Sequence, residues 1–123
     1  MDTNAVIEFL AGNLPISGST WINDILKKGP IHLSVINKIE LLGFNGEPSE
    51  MQTLEDFVDA NILLPISDQI VNTLISLRKT YRIKLPDAVI AATALTHYLT
   101  LITRNTSDFQ AIPGLLVVNA HEK

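Results

Sequence analysis

Apolar and polar residues follow two different periods along the chain, one typical of helices and one typical of short buried strands. Six stretches carry apolar residues at helical spacing: residues 4–12, 19–30, 35–44, 49–60, 67–81 and 86–98. Four shorter, mostly apolar stretches are predicted to be strands: residues 31–35, 61–66, 99–102 and 114–119. Because helices separate most of these apolar strands, the pattern predicts a parallel sheet that helices cover on both faces.

Local signals mark the ends of several predicted helices. Polar residues 2–4 can cap the first helix and Gly12 closes it, while Gly29 ends the second and Ser34 can cap the third. The stretch 86–98 is rich in alanine and apolar almost all round, so we expect a buried helix there.

The composition indicates one folded domain over residues 1–123. Hydrophobic residues make up 46% of the 123 residues and the mean hydropathy is +0.25, which is enough to bury a core. No apolar stretch is long enough to span a membrane, and Asp2 and Glu8 occupy the place of a signal peptide's basic region. Cysteine is absent, which excludes disulfides and thiolate metal sites and fits the cytoplasm, where we expect this protein.

The charge is unevenly distributed. A net charge of −4 argues against a passive nucleic-acid coat, which needs a basic face. The segment 78–84 is nevertheless basic, and two interpretations stay open: cations that complement the carboxyl end of a helix, or a local patch that attracts phosphates. The basic residues of this segment are Arg78, Lys79, Arg82 and Lys84.

Polar side chains crowd the end of the third predicted strand. The apolar run 99–102 is followed at once by Thr103, Arg104 and Asn105, and Asp108 comes three residues later. Ligands of parallel sheets bind beyond the carboxyl ends of the strands. We therefore expect a metal or phosphate site here, with Arg104 in a surface ion pair.

Four carboxylates, those of Asp2, Glu40, Asp87 and Asp108, stand at positions that a parallel sheet would bring to one edge. Three of them begin helices and could be plain caps, while Glu40 lies on or beside an apolar stripe and could be a rim residue. Clustered carboxylates raise one another's pKa unless a cation lies among them. Oxygen donors without cysteine or paired histidines suit Mg²⁺ or Mn²⁺, and such an ion can activate water.

Four stretches, in this order and spacing, resemble the PIN domain family, and in particular the VapC-type toxins of bacterial VapBC modules. They are MDTNAVIEFL, SVINKIELLGF, RIKLPDAVIAATAL and LTLITRNTSDF, and the resemblance covers essentially the whole chain. It implies an α/β fold, a three-layer α/β/α sandwich around a parallel sheet. It also implies a Mg²⁺- or Mn²⁺-dependent endoribonuclease of a type II toxin–antitoxin pair.

The resemblance also implies roles for particular residues. The catalytic and metal-binding acids of the family correspond to Asp2, Glu40, Asp87 and Asp108, and its supporting polar residues correspond to Asn4, Thr103 and Asn105. Toxins of this kind are usually homodimers, and an antitoxin covers their active site. We therefore expect an RNA substrate, an antitoxin partner and a homodimer, with no membrane association.

One departure from the family concerns its first strand. Members carry a short apolar strand before the first acid, whereas here only Met1 precedes Asp2. We expect this strand to be truncated, with a missing upstream piece, which would leave backbone groups of the sheet unpaired.

Two other functions compete with this interpretation. A non-catalytic PIN fold that serves as a binding module stays open, favoured by the missing strand and opposed by the intact acids. A response-regulator receiver would need an acid pair after the first strand and a lysine after the fifth, which this chain lacks. The histidines have no metal-binding spacing, so we assign His32, His97 and His121 to structure or surface.

Overall fold

A computed structural model describes residues 1–123, and helices dominate it. The helices are α1 Thr3–Leu10, α2 Ile16–Lys28, α3 Val35–Leu42, α4 Pro48–Ala60, α5 Asp68–Thr80, α6 Leu85–Thr96 and α7 Thr106–Phe109. The strands are β1 His32–Ser34, β2 Ile62–Leu64, β3 Leu101–Ile102 and β4 Val117–Val118, and a 3₁₀ turn spans Ala120–Glu122. No helix is both long enough and apolar enough to cross a membrane.

The predicted helices all form, with small shifts at their ends. Ser34 caps α3 in a capping box with Asn37, and the predicted buried helix, α6, is buried from Ala88 to Ala94. The second helix begins at Ile16, earlier than its predicted start at residue 19, with Pro15 at the N-cap.

Two predicted strands are shorter than expected because neighbouring turns take up their first residues. Helix α6 ends in a Schellman motif: Tyr98 has φ 55°, and the N–H of Leu99 donates to the Ala94 carbonyl oxygen at 2.8 Å. Leu99 is therefore bound to the helix and β3 begins only at Leu101. Gly114, with φ 80°, makes a turn that delays β4 until Val117.

The strands are parallel, as predicted, but they form two pairs. Strand β1 pairs with β2, and β3 pairs with β4, with no ladder between β1 and β3. No strand precedes Asp2, although its N–H donates to the Ile102 carbonyl oxygen at 2.9 Å. Met1 is buried beside it, and the loss of hydration lowers the pKa of its amine to about 6, against the raising effect of Asp2.

The core has two parts, and β3 contributes to both of them. A cluster of 12 buried residues joins α1, α2, α3 and α4 to β1 and includes Ile102 of β3, with Val6, Ile22 and Leu41 almost fully buried. A second cluster of 8 buried residues joins α5 and α6 to β3, and it includes Phe109 of α7. The carboxyl end of β3 and the first turns of α1, α6 and α7 therefore rest on packed residues, so the side chains there have fixed supports.

Candidate functional site

Asp2 begins α1 and is held by two donors. Its Oδ1 atom accepts a hydrogen bond from the Ala5 N–H at 2.8 Å, so Asp2 is an N-cap. Its Oδ2 atom accepts a hydrogen bond from the Thr103 hydroxyl, which comes from the end of β3. The cap interpretation is therefore correct, but it leaves the second oxygen directed toward the strand end, where a site was predicted.

Thr103 also organises the segment that follows β3. Its side chain is fully buried, and its hydroxyl oxygen accepts a hydrogen bond from the Asn105 N–H at 3.0 Å. The Asn105 side-chain amide in turn donates to the carboxylate of Asp108, which lies exposed in α7. Hydrogen bonds thus connect three of the polar residues singled out after the third strand to one another and to Asp2.

Glu40 projects from α3 and is exposed, so it is a rim residue rather than a buried carboxylate. Its Oε1 atom accepts a hydrogen bond from the Thr3 hydroxyl at 2.7 Å. The Thr3 oxygen accepts one from the side-chain amide of Asn37 at 3.1 Å, and Asn37 is only 1% exposed. A chain of hydrogen bonds therefore links Glu40 to the first turn of α1.

Sequence analysis missed Thr3 and Asn37 as members of the site. Asn37 stands three residues after Ser34, which is the spacing of a capping box and a signal that could have identified it. Its Oδ1 atom accepts from the Ser34 N–H at 2.8 Å, while its amide group remains free to reach Thr3. Thr3 has no comparable signal beyond its place next to Asp2.

Asp87 lies in the first turn of α6, but it is not the cap of that helix. The N-cap is Lys84, without a side-chain hydrogen bond, so the cap interpretation of Asp87 is wrong. Burial raises the pKa of Asp87, and the charges of Asp2, Asp108 and Glu40 raise it further, while Lys84 lowers it. The charges of the other three predicted acids therefore all reach the Asp87 carboxylate.

The acids surround this place without forming a closed ligand set. No three histidine, aspartate or glutamate side chains are arranged to hold one cation among them. The donors are carboxylate, hydroxyl and amide oxygens, which suit hard cations that retain part of their water. Asn4 is exposed on α1 and takes no part in the hydrogen bonds between these residues.

Comparison with known proteins identifies the family. The model of the PIN domain family matches residues 1–115 of the chain. The chain belongs to the PIN domain family. No curated protein matches it.

Solved structures of similar chains come from toxin–antitoxin complexes. One in a complex from Klebsiella pneumoniae is 33% identical with a TM-score of 0.74, over 97% of this chain and 94% of that one. VapBC2 from Rickettsia felis, bound to a promoter DNA fragment, contains a chain that is 23% identical, with a TM-score of 0.79. The match covers 95% of this chain and 94% of that one. DNA-bound VapBC from Salmonella typhimurium contains a chain that is 22% identical, with a TM-score of 0.77; the match covers 97% of this chain and 95% of that one. This PIN domain therefore shares the fold of VapC-type PIN domains.

The basic segment lies at the end of α5 in this PIN domain. Arg78 and Lys79 occupy the last turn of the helix, where cations complement its dipole. Arg78 donates a hydrogen bond to the Ile83 carbonyl oxygen at 3.0 Å. An open cavity of about 430 Å³ is lined by Arg78, Arg82 and Lys84 but not by Lys79.

Two further predictions concern Arg104 and His121, which both contact Glu8. Arg104 forms the expected surface ion pair, with its Nη1 atom 3.6 Å from Oε1 of Glu8. His121 lies 2.5 Å from the other oxygen of Glu8 and so fastens the carboxyl-terminal turn to α1. Neither group contacts the four acids, so both belong to the support of the fold.

Proposed function

We propose that this PIN domain is a Mg²⁺- or Mn²⁺-dependent endoribonuclease that hydrolyses RNA phosphodiester bonds. The observation that carries the proposal is the raised pKa of Asp87, which burial raises first and which the charges of Asp2, Asp108 and Glu40 raise further. Mutual repulsion of this kind destabilises the ionised site, and a divalent cation is the group that would relieve it.

Asp2, Glu40, Asp87 and Asp108 are the residues that would hold the cation, partly through water molecules. Their oxygens fit Mg²⁺ or Mn²⁺, and because no three of these side chains are arranged to hold one ion, water molecules would have to complete its coordination. When bound, such an ion would supply an activated water as the nucleophile for phosphodiester hydrolysis, in which the water oxygen would replace the departing ester oxygen on phosphorus and the proton lost by the water would end on that departing oxygen.

The protein's own contribution is to hold the carboxylates in place before RNA arrives. Thr103 fixes one oxygen of Asp2, Asn105 fixes one oxygen of Asp108, and Thr3 fixes one oxygen of Glu40. In Asp108 and Glu40 the bound oxygen keeps the other in a defined direction for the cation. In Asp2 both oxygens are held, by Thr103 and by the Ala5 N–H, and the cation would use a remaining lone pair. We assign Thr103 and Asn105 to this positioning role, with Asn4 as a third predicted supporting residue.

Attraction of RNA requires cations near the acids. Lys84 is close enough to Asp87 to lower its pKa, and Arg78 and Arg82 line the same cavity as Lys84. We propose that these residues and Lys79 bind phosphates of single-stranded RNA beside the acids. The attraction compensates locally for the net charge of −4.

We further propose that the protein is the toxin of a type II toxin–antitoxin pair, acting as a homodimer in the cytoplasm. The similar structures are toxin–antitoxin and VapBC complexes, which supports an antitoxin partner here. Sequencing beside its gene and co-expression with any small protein encoded there test this. A stable complex that blocks RNA cleavage is expected, whereas full cleavage in the presence of that protein would contradict the toxin role.

Cleavage of RNA by the purified protein tests the nuclease proposal. We expect cleavage with Mg²⁺ or Mn²⁺ and none with excess EDTA, and D2N, E40Q and D87N should each abolish it. Asp68→Asn is the matched control, because Asp68 stands in the first turn of α5 as Asp87 does in α6. Cleavage that persists in EDTA, or in the Asp87 variant, would overturn the proposal.

A non-catalytic binding module is the second candidate, because no three acids are arranged to hold one ion. Calorimetric titration with Mn²⁺ separates the two functions. Saturable binding that Asp87→Asn removes supports the nuclease, while absence of binding at millimolar Mn²⁺ supports the binding module.

A further inference from the structure

The open cavity at the connection between α5 and α6 combines apolar and cationic side chains. Its volume is about 430 Å³, and its lining consists of Arg78, Tyr81, Arg82, Ile83 and Lys84. Tyr81 and Ile83 are half-buried and pack against the core cluster of α5 and α6, whereas the three cations are exposed. Phosphate binding needs only the cations. The apolar part of this cavity, which we call the connection pocket, therefore points to a ligand with an apolar face.

Three hydrogen bonds hold the backbone of the connection pocket in place. The Tyr81 N–H donates to the Leu77 carbonyl oxygen at 2.8 Å, and the Tyr81 carbonyl oxygen accepts from the Ile83 N–H at 3.1 Å. The Nη1 atom of Arg78 donates to the Ile83 carbonyl oxygen at 3.0 Å. The Arg78 guanidinium is thus tied to the connection before a ligand arrives, which lowers the entropic cost of binding.

The side chains of the connection pocket offer planar groups and hydrogen-bond donors. A nucleobase can stack on a tyrosine ring and on the plane of a guanidinium group. Arginine carries five N–H donors, and the bond to Ile83 occupies only part of this set in Arg78. Arginine and lysine side chains have no acceptor, so the Tyr81 hydroxyl is the only side-chain acceptor in the lining. The pocket therefore suits a planar group whose edge presents acceptors.

Guanine fits this set of donors better than the other bases. One edge of guanine presents two neighbouring acceptors, O6 and N7, which an arginine can bind with two hydrogen bonds. On the same edge adenine presents one acceptor beside an amino donor, cytosine presents a donor, and uracil presents a single acceptor. An amino group placed among cations loses its bonds to water without gaining an acceptor, which is costly.

We propose that the connection pocket is a subsite for one unpaired guanine base of RNA, stacked on Tyr81 and bound along its O6 and N7 edge by Arg78. Within the basic segment, Arg78 thus binds the base, while Arg82 and Lys84 bind phosphates of the same strand. A base in a helix is stacked between its neighbours, so the guanine comes from a loop or another single-stranded region.

This inference rests on the proposed ribonuclease function and adds a base preference to it. Lys84 is the N-cap of α6, and Asp87 stands in the first turn of that helix. Three residues of helix advance about 4.5 Å along its axis, so the pocket adjoins the acids. A guanine bound there would place a neighbouring phosphodiester beside Asp87. The pocket would therefore select where the strand is cut.

Decamers of abasic sugar phosphates that carry one internal nucleoside test base binding while the number of phosphates stays constant. In EDTA and about 50 mM salt, the decamer with guanosine should bind at least about fivefold more tightly than the wholly abasic decamer. It should also bind at least about fivefold more tightly than the decamer with adenosine. Fluorescence anisotropy measures the affinities, and a gel confirms that the strands remain intact.

Substitutions of Tyr81 test whether the base stacks on it. Tyr81→Leu keeps an apolar side chain against the core but removes the stacking face, so the gain from guanosine should disappear. Tyr81→Phe keeps the face and should keep the gain. Tyr98→Leu is the matched control, because Tyr98 is the other tyrosine of the chain and is 96% exposed. The salt dependence of binding should be the same in all three variants, since none changes a charge.

A variant of Arg78 tests the edge of the base and does not depend on the packing of Tyr81. Arg78→Lys keeps the charge but replaces the planar fork by a single ammonium group. The preference for guanosine over adenosine should therefore fall below about twofold, while affinity for the wholly abasic decamer should change less than about twofold. Arg78 is exposed, so this variant should fold, which circular dichroism checks.

The same affinities contain the results that would overturn the proposal. Equal binding of the guanosine and wholly abasic decamers would leave a phosphate site alone, and equal binding of guanosine and adenosine would refute the assignment of guanine. A gain from guanosine that persists in folded Tyr81→Leu would refute the stacking. If Tyr81→Leu is unfolded, an unchanged guanosine preference in Arg78→Lys overturns the proposal. Failure of the nuclease proposal is a separate result, because it appears as absence of cleavage with Mn²⁺ and leaves the affinities in EDTA unaltered.

Discussion

The chemistry of the site depends on how single residues are held, and Asp87 shows this most directly. It has no cap role, and its pKa is raised from 3.8 by burial and by three neighbouring acids. Ionised Asp87 therefore destabilises the folded state, in contrast to an acid in the first turn of an isolated helix, which is stabilising. The two situations predict opposite effects of neutralisation.

Asp87→Asn should stabilise the metal-free protein at neutral pH, by about 1 kcal/mol or less because the site is open to solvent. Between 3.8 and the raised pKa the folded state binds more protons than the unfolded state, so stability falls as pH rises. The advantage of the variant should thus appear as pH rises through this interval. Urea unfolding at several pH values measures it, and Asp68→Asn should instead lower stability slightly. Equal losses in both variants would contradict the crowded-acid interpretation.

Thr103 is the residue on which the strand-end motif depends, because its buried hydroxyl donates to Asp2 and accepts from Asn105. Thr103→Val keeps the shape and removes both bonds, so we expect a loss of about 1–3 kcal/mol and weaker Mn²⁺ binding. Thr103→Ser, which keeps the hydroxyl, should retain most of the Mn²⁺ affinity. Unchanged affinity in the valine variant would refute the positioning role.

Some residues of the site were predictable from sequence and others were not, for physical reasons. Carboxylates beside strand ends are identifiable because the carboxyl ends of parallel strands meet at one edge. Thr3 and Asn37 are neutral, common in caps, and gain significance only because α1 and α3 bring them within 3.1 Å. A contact between residues 34 positions apart produces no periodic pattern in the sequence from which it could be predicted.

At the scale of elements, the carboxyl end of α5 and the amino end of α6 place cations beside the acids. Replacement of Arg82 and Lys84 by glutamine should weaken RNA binding. It should also make the plot of log K against log salt concentration less steep, by the release of about two counterions. Lys27→Gln with Lys28→Gln is the control matched in charge, because it neutralises two exposed lysines in the last turn of another helix, α2. Binding measured from about 50 to 200 mM salt checks this. Identical slopes in both double variants would mean that the basic segment does not bind RNA and only complements the carboxyl end of a helix.

Contact between α2 and the carboxyl-terminal turn allows only glycine at position 18. A Cβ atom there would lie 2.2 Å from the Ala120 carbonyl oxygen, and the obstacle is backbone. Gly18→Ala should therefore cost about 1–3 kcal/mol, despite the better helix propensity of alanine. Ser17→Ala, one position earlier and exposed, should be nearly neutral. Thermal unfolding compares the two, and a stabilised Gly18 variant would show that the contact does not persist in solution.

Element boundaries were the least predictable part of the fold. The strands β3 and β4 have two residues each, because the Schellman motif after α6 and the turn at Gly114 occupy positions whose apolar residues suggested longer strands. The strongly periodic helix α5 and the alanine-rich buried helix α6 were both predicted to within two residues at each end. Periodicity records which face is buried, whereas turns depend on single backbone angles.

At the scale of the whole molecule, the sequence predicts the parallel α/β architecture but not its division into two strand pairs. Between β1 and β3 lies a cavity of about 480 Å³, lined mostly by apolar residues, in place of a ladder. Met1 lines this cavity, and the next residue, Asp2, contributes to the acidic site.

A cation bound among the acids of α1, α3, α6 and α7 should stabilise the whole domain, because those helices must stay folded together to hold it. Mn²⁺ at one hundred times its Kd should add about 2.7 kcal/mol to the free energy of unfolding. Thermal unfolding with increasing Mn²⁺ checks this, with EDTA as the reference. In Asp87→Asn the starting stability should be higher but the gain from Mn²⁺ much smaller, since the same charge both destabilises the empty site and attracts the cation. An equal gain in the variant and the parent would place the bound cation elsewhere on the protein.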